Sequence, residues 1–523
     1  MIHFIKGLWL RRWFRGCAWT VFTILTLLIL ARQYEDWSGA RRWAAVKEML
    51  AREGESLDIR AIMPDPVPDE QNFFAIAALK DIPLATARTD DKSELALKFK
   101  RLTNAWPSNN PGSTASPPSI EPGASLGMPA DLKAWADWLR KAGTQPTPPE
   151  AGNPAHDVLT ALSGNDALVA ELAEGLSRPE SQWTPAWKTR ELPENLASIL
   201  LPHLDVSRRL ARMLCLRSTA AARAGDAETA QQSLLIAARL NQAGTQEPFL
   251  ISVLVACAQS AGIHGAVWEL CDSHAGTAED FRELQEALSR MDYRAAYLNA
   301  GRAELAFGAS VLEYLKRIRV PVPDAVAMGN KPQPPAWVRS IFHLVPEGWY
   351  DANAATISTL NFEYCVKPLR DGGFPELLSR QEGMQATIDE WHLHPLRHLD
   401  AFMAFQMFPA FVNVTSKVIY TQSVENEAIA ACALERYRIE HGAYPDTLEA
   451  ANRPGEKSIP LDVIAGKPMG YRKTPDGRYI LWCVAFNGVD HGGRRVLDPK
   501  NAQNTKFGDP SYQGDWVWDF PAN

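Results

Sequence analysis

Basic charge is in short supply in this chain. Lys and Arg number 54 against 61 Asp and Glu, for a formal net charge of −7. A nucleic-acid binder wants a basic footprint, so this balance argues against nucleic acid as a main partner. The seven cysteines, at 17, 215, 257, 271, 365, 432 and 483, include no C-x-x-C pair. Zinc-ribbon and dithiol redox motifs are therefore missing. Cys215, Cys257, Cys271 and Cys432 sit in apolar helical contexts and read as buried, inert thiols. In an exported body, Cys432 and Cys483 could instead pair. There is no glycine-rich phosphate loop and no H-E-x-x-H. Long apolar runs are scarce as well. Leu399 to Phe411 is apolar but contains Asp400, Gln406 and Pro409, too short and too polar for a membrane span, so a core helix is expected.

One apolar run remains, at the N-terminus. Residues 1–16 carry Lys6, Arg11, Arg12 and Arg15 and no acidic residue. The uncharged stretch from Gly16 to Ala31 covers about 24 Å as a helix, short of a ~30 Å hydrocarbon core. Arg15 and Arg32 can snorkel across the difference, and Trp9, Trp13 and Trp19 can anchor the interface. A cleaved signal peptide would want small residues after Leu30, where Arg32 stands instead. A lipobox is ruled out because the apolar run follows Cys17. The reading is a basic cytoplasmic tail (1–16) and a single transmembrane signal-anchor (17–31) in a bacterial inner membrane. The bulk is then extracytoplasmic, in the periplasm of a two-membrane bacterium.

The 523 residues suggest roughly three domains. Residues 32–106 read as an N-terminal helical region. Trp43, Val46, Met49 and Leu50 stripe one helix, and Asp69 to Asn72 can start another through Phe73, Phe74, Ile76 and Leu79. Residues 107–154 form a Pro-, Ser- and Gly-rich linker, interrupted by one amphipathic helix from Pro129 to Ala142. Residues 155–398 read as helical hairpins. Helices marked by Leu210, Met213 and Leu214 and by Leu234, Ala237 and Leu240 flank a turn at Ala224-Gly225-Asp226. The span 208–241 has tetratricopeptide-like character, but no second copy follows at that period. Thr277 and Asp280 make a capping box. Five prolines between 318 and 335 mark a second loop.

Residues 399–523 change character. Ala428, Ala431, Cys432, Leu434 and Tyr437 fall at helical spacing, with Glu425, Glu427, Glu435 and Arg436 on the remaining, solvated faces. Gly442 suits the C-terminal αL cap, and Asp446 or Thr447 a second cap before Leu448. Thr474-Pro475-Asp476-Gly477 is a turn between Met469–Lys473 and Arg478–Val484, a hairpin. Asp515–Asp519 alternates as a third strand. The fold class expected is mainly α: helical hairpins with tetratricopeptide-like packing, plus a small C-terminal α+β module with a long helix on an antiparallel sheet.

The module's residues Ala433-Leu434-Glu435-Arg436-Tyr437-Arg438, His441-Gly442-Ala443-Tyr444-Pro445, Gly466-Lys467-Pro468, Asn487 to Gly493 and Asp515-Trp516-Val517 resemble the globular part of the type II secretion major pseudopilin. The whole chain also looks like large membrane-anchored bacterial proteins ending in this module. The chain departs from that family at Gly16, which is followed by Cys17 and, at the fifth position, Val21. A processed, polymerising subunit is not expected. The resemblance implies that the loop after the hairpin can hold calcium. Asn487, Asp490, Asp498 and Asp509 supply hard oxygen ligands for it, though the same residues serve local turns equally well.

Two other groups invite chemistry. Gly123-Ala124-Ser125-Leu126-Gly127 matches a nucleophile elbow, but Ser-Pro-Pro-Ser-Ile-Glu-Pro before it cannot be the central strand an elbow needs. Glu390, His392, His394 and His398 form the densest ligand-capable cluster, at a helix junction before Pro395. The expected function is that of a membrane-anchored extracytoplasmic interaction or scaffold protein with a protein partner, accessory to a secretion or pilus-like apparatus. The alternative is an extracytoplasmic hydrolase or metalloenzyme using the His392/His394/His398 region.

Overall fold

The computed structural model describes residues 12–84, 93–106, 117–119, 122–144, 146–147, 152–183, 196, 199–319, 344–394 and 397–521. It is mainly helical, 67% helix and 4% strand, with a three-stranded antiparallel sheet near the C-terminus. The proline-rich loop expected around 318–335 and most of the linker before Pro117 lie outside the described residues.

Helix α1 (Arg12–Arg52) is 41 residues long, so the apolar segment and the helix expected after Trp37 are one rod. The rod's two halves meet different surroundings. Its 18-residue apolar window is 0% buried, whereas Trp43 and Leu50 sit in the core. Gly39 marks the change. A Cβ there would run into the Gly348 carbonyl, and one on Gly348 into the Glu35 backbone. Two glycines thus let α1 cross a second helix backbone-to-backbone, a helix with Gly348 in its first turn. Asp36 accepts the Gly348 N–H at 2.9 Å, and Arg42 pairs with Asp400.

Further along lie α2 (Glu94–Asn104), α3 (Pro122–Leu126), α4 (Leu132–Ala142), α5 (Pro154–Leu162) and α6 (Asp166–Glu174). The stripe Leu132, Trp135, Trp138 and Leu139 of α4 is buried, as its spacing predicts. The segment after Asp69 is not the expected helix. It makes only a 3-10 turn at Phe73–Ala75. Asn72 Oδ1 accepts from Phe74 and Gln182, its Nδ2 donates to the Gln182 carbonyl, and Phe73 N–H goes to Glu180. Those bonds to a distant strand-like segment outcompete the helical ones.

The body is built from α7 (Pro202–Ala224), α8 (Ala227–Gln246), α9 (Leu250–Ser273), α10 (Ala278–Leu288) and α11 (Tyr293–Ile318). It continues through α12 (Glu347–Asn361), α13 (Lys367–Asp371) and α14 (Gly373–Leu393). The α7–α8 hairpin turns where expected, with Gly225 at φ 80° and Asp226 capping Thr229 N–H. The Thr277/Asp280 capping box is present. α9 is apolar enough to span a membrane, but 61% of its window is buried, so it is the body's central helix.

The two helices expected at 399–411 and from 424 are a single helix, α15 (Phe402–His441), ending at Gly442 with φ 78°. Strands β1 (Gly470–Lys473), β2 (Tyr479–Val484) and β3 (Asp515–Trp518) follow in the order β1-β2-β3, with Lys473 opposite Tyr479 and Cys483 opposite Trp516. Leu448 begins a short 3-10 turn, with Thr447 at its cap position but no side-chain cap bond. The sheet covers α15 on one side and α9 to α11 cover it on the other, so one apolar cluster joins Leu214, Trp268, Leu434, Tyr479 and Trp518. Cys432 and Cys483 are separate, buried free thiols in that cluster. The polar faces expected of α15 are therefore not solvated: Glu425, Glu427, Glu435 and Arg436 are all buried.

Gly39→Val should weaken the α1–α12 crossing by about 1–3 kcal/mol. A Gly16→Ala change, with nothing within 4 Å of the new Cβ, should leave thermal unfolding in detergent unmoved. Equal melting points for the two variants would contradict the crossing.

Candidate functional site

A cleft of about 790 Å³ opens between α9, α15, α3 and residues 502–507, inside the 300–1,000 Å³ range usual for ligand sites. α9 lines it with Leu254, Cys257, Ala258, Ala261 and His264, one helical stripe at i, i+3, i+4, i+7 and i+10. The small side chains in the middle of that stripe leave the space. α15 answers with Lys417, Tyr420, Thr421 and Val424, again a single face. Residues 117–119 and α3 form one lip, and Asn504 to Phe507 the other. The second lip is fixed by aromatic packing. The Tyr420 ring stacks on Phe507 at 6.3 Å and meets Trp516 edge-on at 5.5 Å.

The elbow-like motif now has a packing explanation. It is a five-residue helix with no strand before it. Gly123 lies flat on the Trp268 indole, and Gly127, at φ 63°, fits beside Asp519. Trp268 Nε1 donates to the Asp519 carbonyl at 2.8 Å, and its ring stacks on Phe520. Both glycines seat α3 against the end of β3, which places Ser125 on the cleft's lip.

The floor holds a pair that the sequence did not point to. His264 Nε2 lies 2.6 Å from Glu425 Oε2, and both side chains are buried. Burial pushes the Glu425 carboxyl up, and the His264 charge and hydrogen bond draw it back down. The other oxygen, Oε1, has no hydrogen-bond partner among the described residues. With Nε2 committed to Glu425, Nδ1 is the ring nitrogen left for other partners. Lys417 is exposed at the mouth, and among the described residues no acidic side chain lines the cleft beside it. Ser119, Ser125, Thr421, Asn504 and Thr505 add neutral polar groups.

The residues singled out from sequence fall elsewhere. Asn487 Oδ1 accepts from Val489 N–H, and Asp490 Oδ1 from Gly492 N–H and Trp482 Nε1. Asp498 accepts from Lys500 and Asn501, and Asp509 from Ser511. Each makes a local turn. The hub of their loop is the buried Asp515, which takes backbone N–H groups of His491, Gly493 and Arg494 at 2.8–3.3 Å. In the His cluster, His394 is exposed and His398 Nε2 stands 4.0 Å from Glu390 Oε1. The His392 side chain lies outside the described residues. Among the described residues, no three His, Cys, Asp or Glu side chains converge in a way that could hold a metal ion.

Glu427 faces the opposite side of α15. Its Oε1 accepts the Cys483 N–H of β2 at 3.1 Å. Its Oε2 has no partner among the described residues. Burial pushes this carboxyl up to about 8, so it is mostly protonated at neutral pH.

No family model, curated protein or solved structure matches this chain.

The Glu427 carboxyl titrates higher folded than unfolded, so the folded state binds more protons. Its favourable contribution is complete below the unfolded value of 4.5 and fades as pH rises through about 8. Glu427→Gln should therefore gain melting temperature relative to the parent on going from pH 5 to pH 9. A constant difference across that range would refute a neutral Glu427.

Proposed function

We propose that this chain is a membrane-anchored, extracytoplasmic interaction protein of the bacterial inner membrane. Its basic N-terminus faces the cytoplasm, and its helical body and C-terminal sheet offer a binding surface on the far side. The observation that carries this reading is the contrast within α1. The apolar window is 0% buried, while the same helix is bound into the core from Trp43 to Leu50. Val21, Leu25 and Leu28 are each more than half exposed, a continuous apolar surface far larger than soluble proteins leave open.

Local chemistry supports a bilayer around that segment. Thr20 Oγ1 donates to the Gly16 carbonyl at 3.0 Å and Thr26 Oγ1 to Phe22 at 2.8 Å, so the hydroxyls are satisfied within the helix, as hydrocarbon requires. Trp13 and Trp19 are exposed near one end and Tyr34 and Trp37 near the other, the arrangement of an interfacial aromatic belt. Excess basic charge before the span places the N-terminus inside. The resemblance of the last quarter to a pseudopilin suggests service to a secretion or pilus-like apparatus, by analogy of module.

The full chain should stay with the membrane pellet through carbonate extraction, and Leu25→Arg/Leu28→Arg should release it, since each Arg costs roughly 2.5–3.5 kcal/mol at a span's centre. An alkaline phosphatase fused after Asn523 should be active. Extraction of the parent chain by carbonate would sink the anchor, and an inactive phosphatase the orientation. Purification from crosslinked membranes without any secretion component would remove the accessory role.

A further inference from the structure

We infer that the body itself rests on the bilayer beside its anchor. The turn at residues 344–346, with Leu399 and Phe402 behind it, is a second membrane contact, seated among the lipid headgroups. This rests on the reading of α1 as a membrane span, and it names a further part of the chain that lipid covers.

Position along α1 sets the height of the turn. The uncharged apolar run ends at Ala31. The next residue, Arg32, donates to the Leu344 carbonyl at 3.4 Å. Leu344 is therefore level with the end of the span, to within the reach of one side chain. The headgroup zone on each side of a bilayer is about 5–7 Å deep, so the turn lies in it or at its edge. Gly348 then meets the backbone at Glu35 and Gly39, about 6–12 Å past Ala31 along the rod. Leu399 and Phe402 belong to the same corner, somewhat higher. The Phe402 ring lies 6.1 Å from that of Trp349. Asn353 Nδ2 donates to the Leu399 carbonyl at 3.2 Å, and Arg42 pairs with Asp400.

Two independent features fit lipid at that height. The first is apolar exposure: Leu344 is 70% exposed, Leu399 54% and Phe402 48%. Single exposed apolar residues need no explanation, but these adjoin a span that is itself uncovered. The second is the backbone of the turn. The Leu344 carbonyl is taken by Arg32, and the Val345 carbonyl by Arg319 at 2.6 Å. Pro346 has no N–H to satisfy, and its carbonyl accepts from Trp349 N–H at 3.3 Å. The Gly348 N–H goes to Asp36, and the Glu347 carboxylate pairs with Arg319 at 2.7 Å. A loop in water can leave such groups to the solvent, whereas one pressed on lipid must pair them within the protein. The turn thus offers its neighbours an apolar side chain and few open backbone acceptors. A protein partner is the rival cover, but at this height it would have to lie between the body and the bilayer.

The test uses the full chain in nanodiscs of phosphatidylethanolamine and phosphatidylglycerol. A nitroxide is placed on one introduced cysteine in a Cys17→Ser background, where the other six cysteines are buried. Power-saturation spectroscopy compares collisions with oxygen, which concentrates in lipid, against those with a water-soluble nickel chelate. Leu200→Cys is the aqueous reference. Leu200 is 52% exposed, and its neighbours Ile199 and Leu201 pack with Ile59 and Met63, beyond the far end of α1. Leu344→Cys should show an oxygen-to-chelate ratio several-fold above that reference. Leu399→Cys and Phe402→Cys should fall between the two, and Leu25→Cys should exceed them all. Leu344 as aqueous as Leu200, with Leu25 in hydrocarbon, would overturn the second contact and leave the anchor standing. An aqueous Leu25 would overturn the anchor and the second contact together. A Leu344 label shielded from both probes would mean that protein covers the turn, which overturns the lipid assignment.

Discussion

Burial of α15 on every face between Ser423 and Arg436 is the constraint from which the rest of the structure follows. From Ser423 to Arg436 each residue is buried, with helices on one side and the sheet on the other. A helix in that position cannot send its charges to water, so each must find a partner inside. Glu425 reaches His264 on α9. Glu427 takes the Cys483 N–H of β2. Glu435 accepts from Arg438 at 2.9 Å and from the Tyr444 hydroxyl. Arg436 forks onto Glu456 at 2.6 and 2.7 Å and also donates to Gln285 on α10. Buried pairs of this kind contribute little net stability, because desolvation offsets attraction. Their effect is on register. Sliding α15 by one turn would leave four ionisable groups buried without partners.

The same constraint shapes the cleft. α9 and α15 meet where His264 reaches Glu425. On the cleft side α9 presents Ala258 and Ala261, side chains that fill little of the space. The lips depend on the C-terminal module. Trp516 holds Tyr420 and donates to the Phe507 carbonyl at 2.9 Å, and Trp268 binds the chain end through Asp519. The C-terminal module therefore does two things at once: its sheet covers one side of α15, and its residues 502–507 supply one lip of the cleft.

Much of the fold could be read before any coordinates. The turn chemistry at Gly225-Asp226, Thr277/Asp280, Gly442 and Pro475-Asp476-Gly477 is local, and local chemistry survives folding. The errors all have a tertiary cause. Asn72 was given to a helix because its partners, Glu180 and Gln182, are more than a hundred residues away. The glutamates of α15 were assigned to solvent because an amphipathic pattern presumes one wet face. A warning was present in Ala428 to Leu434, seven consecutive apolar residues. A helix that is apolar all round is a buried one. His264 carries a similar trace, a lone ionisable ring in the apolar Leu250–Leu270 run, and a buried histidine needs a partner. Lys417 carries none, since its setting is made by residues from four separate segments. The elbow motif, set aside in the sequence because no strand can precede it, has its glycines where α3 lies on Trp268 and Asp519.

The remaining question is how the exposed half of α1 bears on the body. A rod that leaves an apolar surface uncovered over about 24 Å is unstable in water unless something covers it, and a bilayer does so with no further protein. The rod does not then join the body through a flexible linker. Gly39 and Gly348 put two backbones in contact, Arg32 donates to the Leu344 carbonyl, and Arg42 holds Asp400. Where the chain leaves α1, the buried Glu55 accepts from Arg302 at 2.9 Å and from Arg370 at 3.3 Å. These contacts fasten both ends of the α1 segment that crosses the body. Tilting the rod would require breaking them together, in a densely packed interior that deforms little. The orientation of the cleft is therefore coupled to the orientation of the apolar rod. The mouth of the cleft, at Lys417, is held at a fixed attitude to whatever surface the rod occupies.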